Sequence, residues 1–215
     1  MGTAHRLAAR KRVLLRLERE FWRRGVARVA GVDEVGVGPL AGPLVAAAVI
    51  FPPDVAVLGV DDSKKLSPAR RLGLAEEIRA AALGVGVGMV DVAEVDRLNV
   101  YWAALEAMRR AVCALPLDAE QLLVDARRVP GITVPQLSIV KGDSRSYSIA
   151  AASIVAKVTR DGIMCDLDRL YPEYGFARNK GYGTPDHLAA LERCGPSPVH
   201  RRSFTAVRQA RLPGL

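Results

Sequence analysis

Cysteine is scarce in this sequence. Cys113, Cys165 and Cys194 are the only three in 215 residues, and none belongs to a CxxC pair or a Cys/His ligand set. That excludes a disulfide scaffold and a zinc finger, and suits a reducing compartment. A long apolar run is also missing. The one long uncharged stretch, Val35 to Pro53, carries four prolines and three glycines, so it makes a poor membrane helix. The first residues are too charged for a secretory leader, their longest apolar run being Val13-Leu14-Leu15. A soluble, cytoplasmic protein is expected. There is no internal repeat and no low-complexity segment. Hydrophobic residues make up 50% and charged residues 25%, which excludes a mostly disordered chain and allows one compact domain with a small added lobe.

Charge is present in excess of one sign and unevenly placed. The net charge is +8. Residues 1–28 hold nine Lys or Arg against Glu18 and Glu20, and residues 171–215 hold seven against three acids. Between them, residues 29–170 hold fifteen basic and eighteen acidic side chains. Basic ends around a mildly acidic middle fit a polyanionic partner held by the ends, while a solvated basic surface accounts for the charge equally well.

Apolar spacing predicts a helix over 5–24, ended by Gly25, with Leu14, Leu17 and Phe21 on one face. Val29–Asp33 and Leu44–Phe51 read as two strands paired across a glycine-rich turn. Ser67-Pro68 starts a helix that runs to about Leu83. Val85–Val92 alternates with period two, and its glycines mark a strand that another element approaches closely. Asn99 caps a helix whose Tyr101, Leu105, Met108 and Val112 share a stripe. Gln121–Asp125 and Gln136–Val140 are short strands, Ser148 to Tyr171 is a long helix, and small helices follow Thr184-Pro185. With the later strands joined through helices, this order predicts an α/β fold. Its mixed sheet is antiparallel at the front and parallel behind.

Acids stand where these strands end. Asp33 closes the first strand and Glu34 follows it; Asp125 closes a later strand; Asp143 lies just past the next. Converging carboxylates repel one another unless divalent cations lie between them, and hard oxygen ligands suit Mg²⁺ or Mn²⁺. Neighbours on a strand face opposite ways, so Asp33 is expected at the centre of such a site and Glu34 at its edge. Any one of these acids taken alone is more readily read as a helix cap or an ion-pair partner of a nearby base.

The segment Val29-Ala30-Gly31-Val32-Asp33-Glu34-Val35-Gly36-Val37-Gly38-Pro39 resembles the first signature of ribonuclease HII. The resemblance continues, in order, through Asp62-Ser63-Lys64-Lys65-Leu66, Val124-Asp125, Lys141-Gly142-Asp143-Ser144, Ser148 to Asp161, Lys180-Gly181-Tyr182-Gly183-Thr184 and His200-Arg201-Arg202-Ser203-Phe204. It implies the ribonuclease H-like fold: a central five-stranded mixed sheet flanked by helices, with a helical C-terminal lobe over 171–215. Residues 1–28 would be a basic helical extension and 29–215 the catalytic domain. It further implies cleavage of RNA in RNA/DNA hybrids and nicking at single ribonucleotides in duplex DNA. The metal ligands and catalytic acids would be Asp33, Glu34, Asp125 and Asp143. By the same resemblance, Gly36, Val37 and Gly38 occupy the loop that reads the ribose 2′-hydroxyl, and Tyr182 stacks beside the scissile ribonucleotide. A monomer without a small-molecule cofactor is expected.

The family has an arginine where this chain has Val37, and a glycine where it has Ala126. Valine cannot hold a phosphate as arginine does, so weaker substrate binding is expected rather than loss of reaction. Lys64 and Lys65 are candidates for backbone phosphates, or a solvated pair. Asp161 is expected to pair with Lys157 one turn away, and His187 and His200 to be structural. The glycine loop is followed by a strand rather than a helix, which excludes a dinucleotide fingerprint. Two alternatives stay open at this point: another metal nuclease of the same fold, such as a junction resolvase or ribonuclease HIII, and a nucleic-acid-binding module that has lost catalysis. Residues 1–28 are too few for the N-terminal domain expected of ribonuclease HIII.

Overall fold

A computed structural model describes residues 2–210; the final residues of the expected lobe, 211–215, lie outside them. The described elements run α1 (Thr3–Leu14), α2 (Arg16–Arg23), β1 (Val29–Val35), β2 (Leu44–Ile50), α3 (Pro68–Ala81), β3 (Gly84–Val90), α4 (Val92–Leu98), α5 (Val100–Cys113), β4 (Gln121–Asp125), β5 (Gln136–Ile139), α6 (Tyr147–Leu170), α7 (Phe176–Asn179), α8 (Pro185–Cys194) and α9 (Thr205–Gln209). No helix among the described residues is long and apolar enough to cross a membrane.

The sheet order is β3-β2-β1-β4-β5. Every residue of β2 is buried, as the sequence Leu-Val-Ala-Ala-Ala-Val-Ile requires of a strand covered on both faces. β2 runs antiparallel to β1, with Asp33 opposite Ala47, and antiparallel to β3. β4 runs parallel to β1, and β5 parallel to β4. Parallel β1 and β4 therefore deliver their C-terminal residues, Asp33-Glu34 and Asp125, to the same edge of the sheet.

Helix α6 packs on one face and α5 on the other. A Cβ on Gly31 would stand 2.1 Å from the Ser148 carbonyl carbon, so β1 needs glycine where α6 crosses it. On the opposite face the glycines of β3 lie against α5, Gly88 at Ala107 and Gly86 at Ala111. The core on the α6 side includes Leu14 and Leu15, which ties α1 and α2 into it. Glu18 is fully buried there, accepting from Ser146 Oγ at 2.6 Å and Ser148 N at 2.8 Å. A separate apolar cluster around Tyr174, Phe176 and Leu191 holds the C-terminal helices on the end of α6.

Four local expectations need correction. The helix expected over 5–24 is divided at Leu15 into α1 and α2. The strand expected to reach Val92 stops at Val90, because Asp91 caps α4: its side chain accepts from Glu94 N at 2.8 Å, and Glu94 reaches back to Asp91 N. β4 and β5 are joined by residues 126–135 without a helix. Gln136 braces that crossing, accepting from Val129 N at 2.8 Å and donating to Val129 O at 2.9 Å. Tyr101 does not share the buried stripe of Leu105 and Met108; it is 49% exposed. The pairing of α5 with β3 places it beyond Val90, where the strand has ended.

Candidate active site

Asp33 and Gly31 share the α6 side of β1, while Glu34 shares the α5 side with Val32 and Ala30. The two carboxylates nevertheless converge, because both stand at the strand end and the longer Glu34 reaches round. Asp33, Glu34 and Asp125 each offer an oxygen lying within 4.8 Å of those of the other two. Asp33 Oδ1 accepts from Glu34 N at 2.8 Å. Asp125 Oδ1 accepts from Gly142 N at 2.6 Å, which anchors the turn carrying Asp143. Asp143 stands outside the three-carboxylate group but lines the same cleft, whose volume is about 410 Å³.

The electrostatics follow from this crowding. Burial, then repulsion from Glu34 and Asp125, holds the Asp33 carboxyl well above the ordinary carboxylate range. Burial also raises Glu34, against the pull of Arg127, and raises Asp143, with Asp62 and Asp125 adding to it. Glu34 Oε2 is buried without a hydrogen-bond partner. Three crowded carboxylates, one with an unpartnered buried oxygen, could hold a hard divalent cation.

The cleft is also lined by Gly36, Val37, Gly38, Lys64 and Tyr182. Tyr182 is 42% exposed. Lys64 closes a short turn whose backbone N donates to Asp62 Oδ1 at 2.9 Å. Lys65 is not part of the lining; its ammonium lies 3.6 Å from Asp61 and 4.0 Å from Asp62. Val37 is half-buried against the α5-side core. The expected Lys157–Asp161 pair forms at 2.6 Å, and Arg71 joins it at 3.1 Å. His187 and His200 are both buried, with Nε2 atoms 3.0 Å apart. His187 Nδ1 faces the Tyr182 carbonyl at 2.8 Å, and His200 Nδ1 accepts from Ser197 N at 3.0 Å. These contacts make His187 Nδ1 a donor and its Nε2 the acceptor of a proton from His200, so the neutral pair braces the Tyr182 loop. Burial lowers both, His200 to about 4 with His187 as the second cause.

Two residues essential to this geometry were not singled out from the sequence. Arg160 and Arg201 are both fully buried, and neither has a carboxylate within ion-pair distance among the described residues. Arg160 donates to the carbonyls of Pro43 at 2.9 Å, Ala41 at 3.1 Å and Lys180 at 2.9 Å. Arg201 donates to Gly42 at 3.0 and 2.8 Å, Pro39 at 2.9 Å and Val37 at 3.3 Å. They fasten the loop leaving β1, and Arg160 joins it to the Tyr182 loop. Gly36 has φ +98°, and a Cβ there would lie 2.5 Å from Arg160 Nε. The available signal was spacing: Arg160 lies four and eight residues after Ala156 and Ala152, on the buried face of α6.

Sheet order, flanking helices and an acid-lined cleft at the ends of β1 and β4 define a nuclease of the ribonuclease H fold. The structure of ribonuclease H2 from Pyrococcus horikoshii OT3 superposes with a TM-score of 0.73 at 27% identity, covering 85% of this chain and 96% of that one. The family model described as Ribonuclease HII matches residues 30–207. Ribonuclease HII of Geobacillus thermodenitrificans (strain NG80-2) is 56% identical over 205 residues, 94% of this chain and 79% of that protein. Ribonuclease HII of Geobacillus kaustophilus (strain HTA426) is 54% identical over 205 residues, 95% and 78% of the two chains. The chain belongs to the ribonuclease HII family, and is an endoribonuclease.

Proposed function

We propose that this enzyme cleaves the RNA strand of RNA/DNA hybrids and nicks duplex DNA on the 5′ side of single embedded ribonucleotides, leaving a 3′-hydroxyl and a 5′-phosphate. The observation that carries this reading is the convergence of Asp33, Glu34 and Asp125 within 4.8 Å, in a cleft that Asp143 also lines. Asp33, Glu34 and Asp125 hold divalent metal, Mg²⁺ or Mn²⁺, with Asp143 completing the set. A pair of such ions supplies a nucleophilic water and stabilises the departing oxygen. Asp33, whose charge meets those of Glu34, Asp125 and Asp143, would be the ligand shared among them. Gly36 and Gly38 bring backbone groups close to the ribose, where selectivity for RNA is a reading of the 2′-hydroxyl. Tyr182 offers a ring to the sugar or base. Lys64 meets a backbone phosphate without regard to sequence.

The test is a duplex holding one ribonucleotide, incubated with Mg²⁺ or Mn²⁺, with EDTA, and beside an all-DNA duplex. Metal-dependent nicking of the first duplex alone, lost in Asp33→Asn, is the expected result. Tight binding without nicking by the unaltered chain would overturn the reading in favour of a binding module.

A further inference from the structure

Eleven aromatic side chains occur in the sequence, and three of them are exposed: Tyr101, Trp102 and Tyr182. Tyr182 lines the acidic cleft. Tyr101 and Trp102 open α5, 49% and 52% exposed, with ring centroids 5.3 Å apart in an edge-to-face pair. They are not remote from the chemistry. The Arg127 guanidinium lies 5.1 Å over the Tyr101 ring, and its Nη1 is 3.9 Å from Glu34 Oε1. One side chain therefore spans from a cleft carboxylate to the exposed aromatic pair. Arg127 Nη1 is buried on the Glu34 side and makes no hydrogen bond. Arg128, next in sequence, is exposed.

We infer that Tyr101, Trp102 and Arg127 form a second contact site for the nucleic-acid substrate, continuous with the cleft on the α5 side of Glu34. The aromatic pair stacks on the sugar or base of a nucleotide flanking the scissile position, and the positive charge of Arg127 beneath Tyr101, with that of exposed Arg128, draws the adjoining backbone phosphate. The surface chemistry matches that occupant: aromatic faces tolerate any base, and the cations beside them meet the phosphate charge. A core role does not explain the pair, because its buried stripe begins only at Ala103 and Leu105. The inference rests on the proposed function and extends it to residues outside the cleft.

The test compares the unaltered chain with Tyr101→Ala, Trp102→Ala and Trp102→Phe on the single-ribonucleotide duplex. Both alanine variants are expected to raise KM about tenfold, with the loss falling on KM rather than kcat and the melting temperature unchanged. Trp102→Phe, which keeps a ring, is expected to recover most of the loss. Should the unaltered chain nick the duplex and both alanine variants keep its KM, this inference fails alone. Should the unaltered chain not nick it at all, the proposed function fails and takes the inference with it.

Discussion

Removing one negative charge from the cleft should stabilise the metal-free protein while abolishing its activity. In Asp33→Asn the amide oxygen can keep the bond to Glu34 N, so the principal change is electrostatic. Carboxylate oxygens here lie within 4.8 Å, where two unit charges repel by about 3.5 kcal/mol at an effective dielectric of 20. Water in the open cleft reduces this, leaving a gain of about 2 kcal/mol. For a chain of this size that is a rise of about 4–8 °C in melting temperature. The gain depends on pH with a definite sign. The Asp33 carboxyl is raised in the folded chain, so its ionisation penalty is absent at low pH and grows as pH rises through the folded value. The advantage of Asp33→Asn should therefore grow as pH rises above the ordinary carboxylate range and shrink as pH falls back into it. The lowered His187 and His200 pull the other way, costing stability as pH falls below the unfolded histidine range. They do so in both chains, and the difference between the chains removes their contribution. Thermal melts in EDTA across this range make the comparison. Melting of Asp33→Asn at or below the unaltered chain at pH 8 would refute the reasoning.

Further outcomes follow from the packing. Gly31→Ala places a methyl 2.1 Å from the Ser148 carbonyl carbon, where only helix backbone stands to yield. It should cost about 3 kcal/mol or more, read from the urea midpoint. Arg201→Met removes the donors to Gly42, Pro39 and Val37. Unpairing those carbonyls should cost about 3 kcal/mol by the same measurement and raise KM as the loop loosens. Arg201→Lys keeps the charge without the fork and should recover only part of both losses. Val37→Arg should lower KM on the single-ribonucleotide duplex by supplying a phosphate contact, and an unchanged KM counts against that role.

Much of this architecture was readable from residue order. Val29–Asp33, Leu44–Phe51 and Gln121–Asp125 carry the short apolar compositions of buried strands, and placing acids at the ends of the first and third required no coordinates. The glycines of 85–92 announced a close neighbour, which is α5. What was not legible depends on distance in space. Arg160 and Arg201 look like ordinary surface cations until the carbonyls of the 37–43 loop surround them. Lys64 and Lys65 are indistinguishable in sequence, yet the first lines the cleft and the second turns to Asp61 and Asp62. Tyr101 fits a helical stripe by spacing, and only the end of β3 at Val90 explains its exposure. Asp91 and Glu94 form a capping box at the required spacing, a signal masked in sequence by the period-two alternation that runs into it.

The proposed chemistry depends most directly on whether these carboxylates share a cation. Titration of Mn²⁺ into the metal-free protein, followed by loss of the free-ion paramagnetic resonance signal, measures this without any substrate. Saturable uptake by the unaltered chain, abolished in Asp33→Asn and in Asp125→Asn, is the predicted result. Equal uptake by all three chains would contradict it.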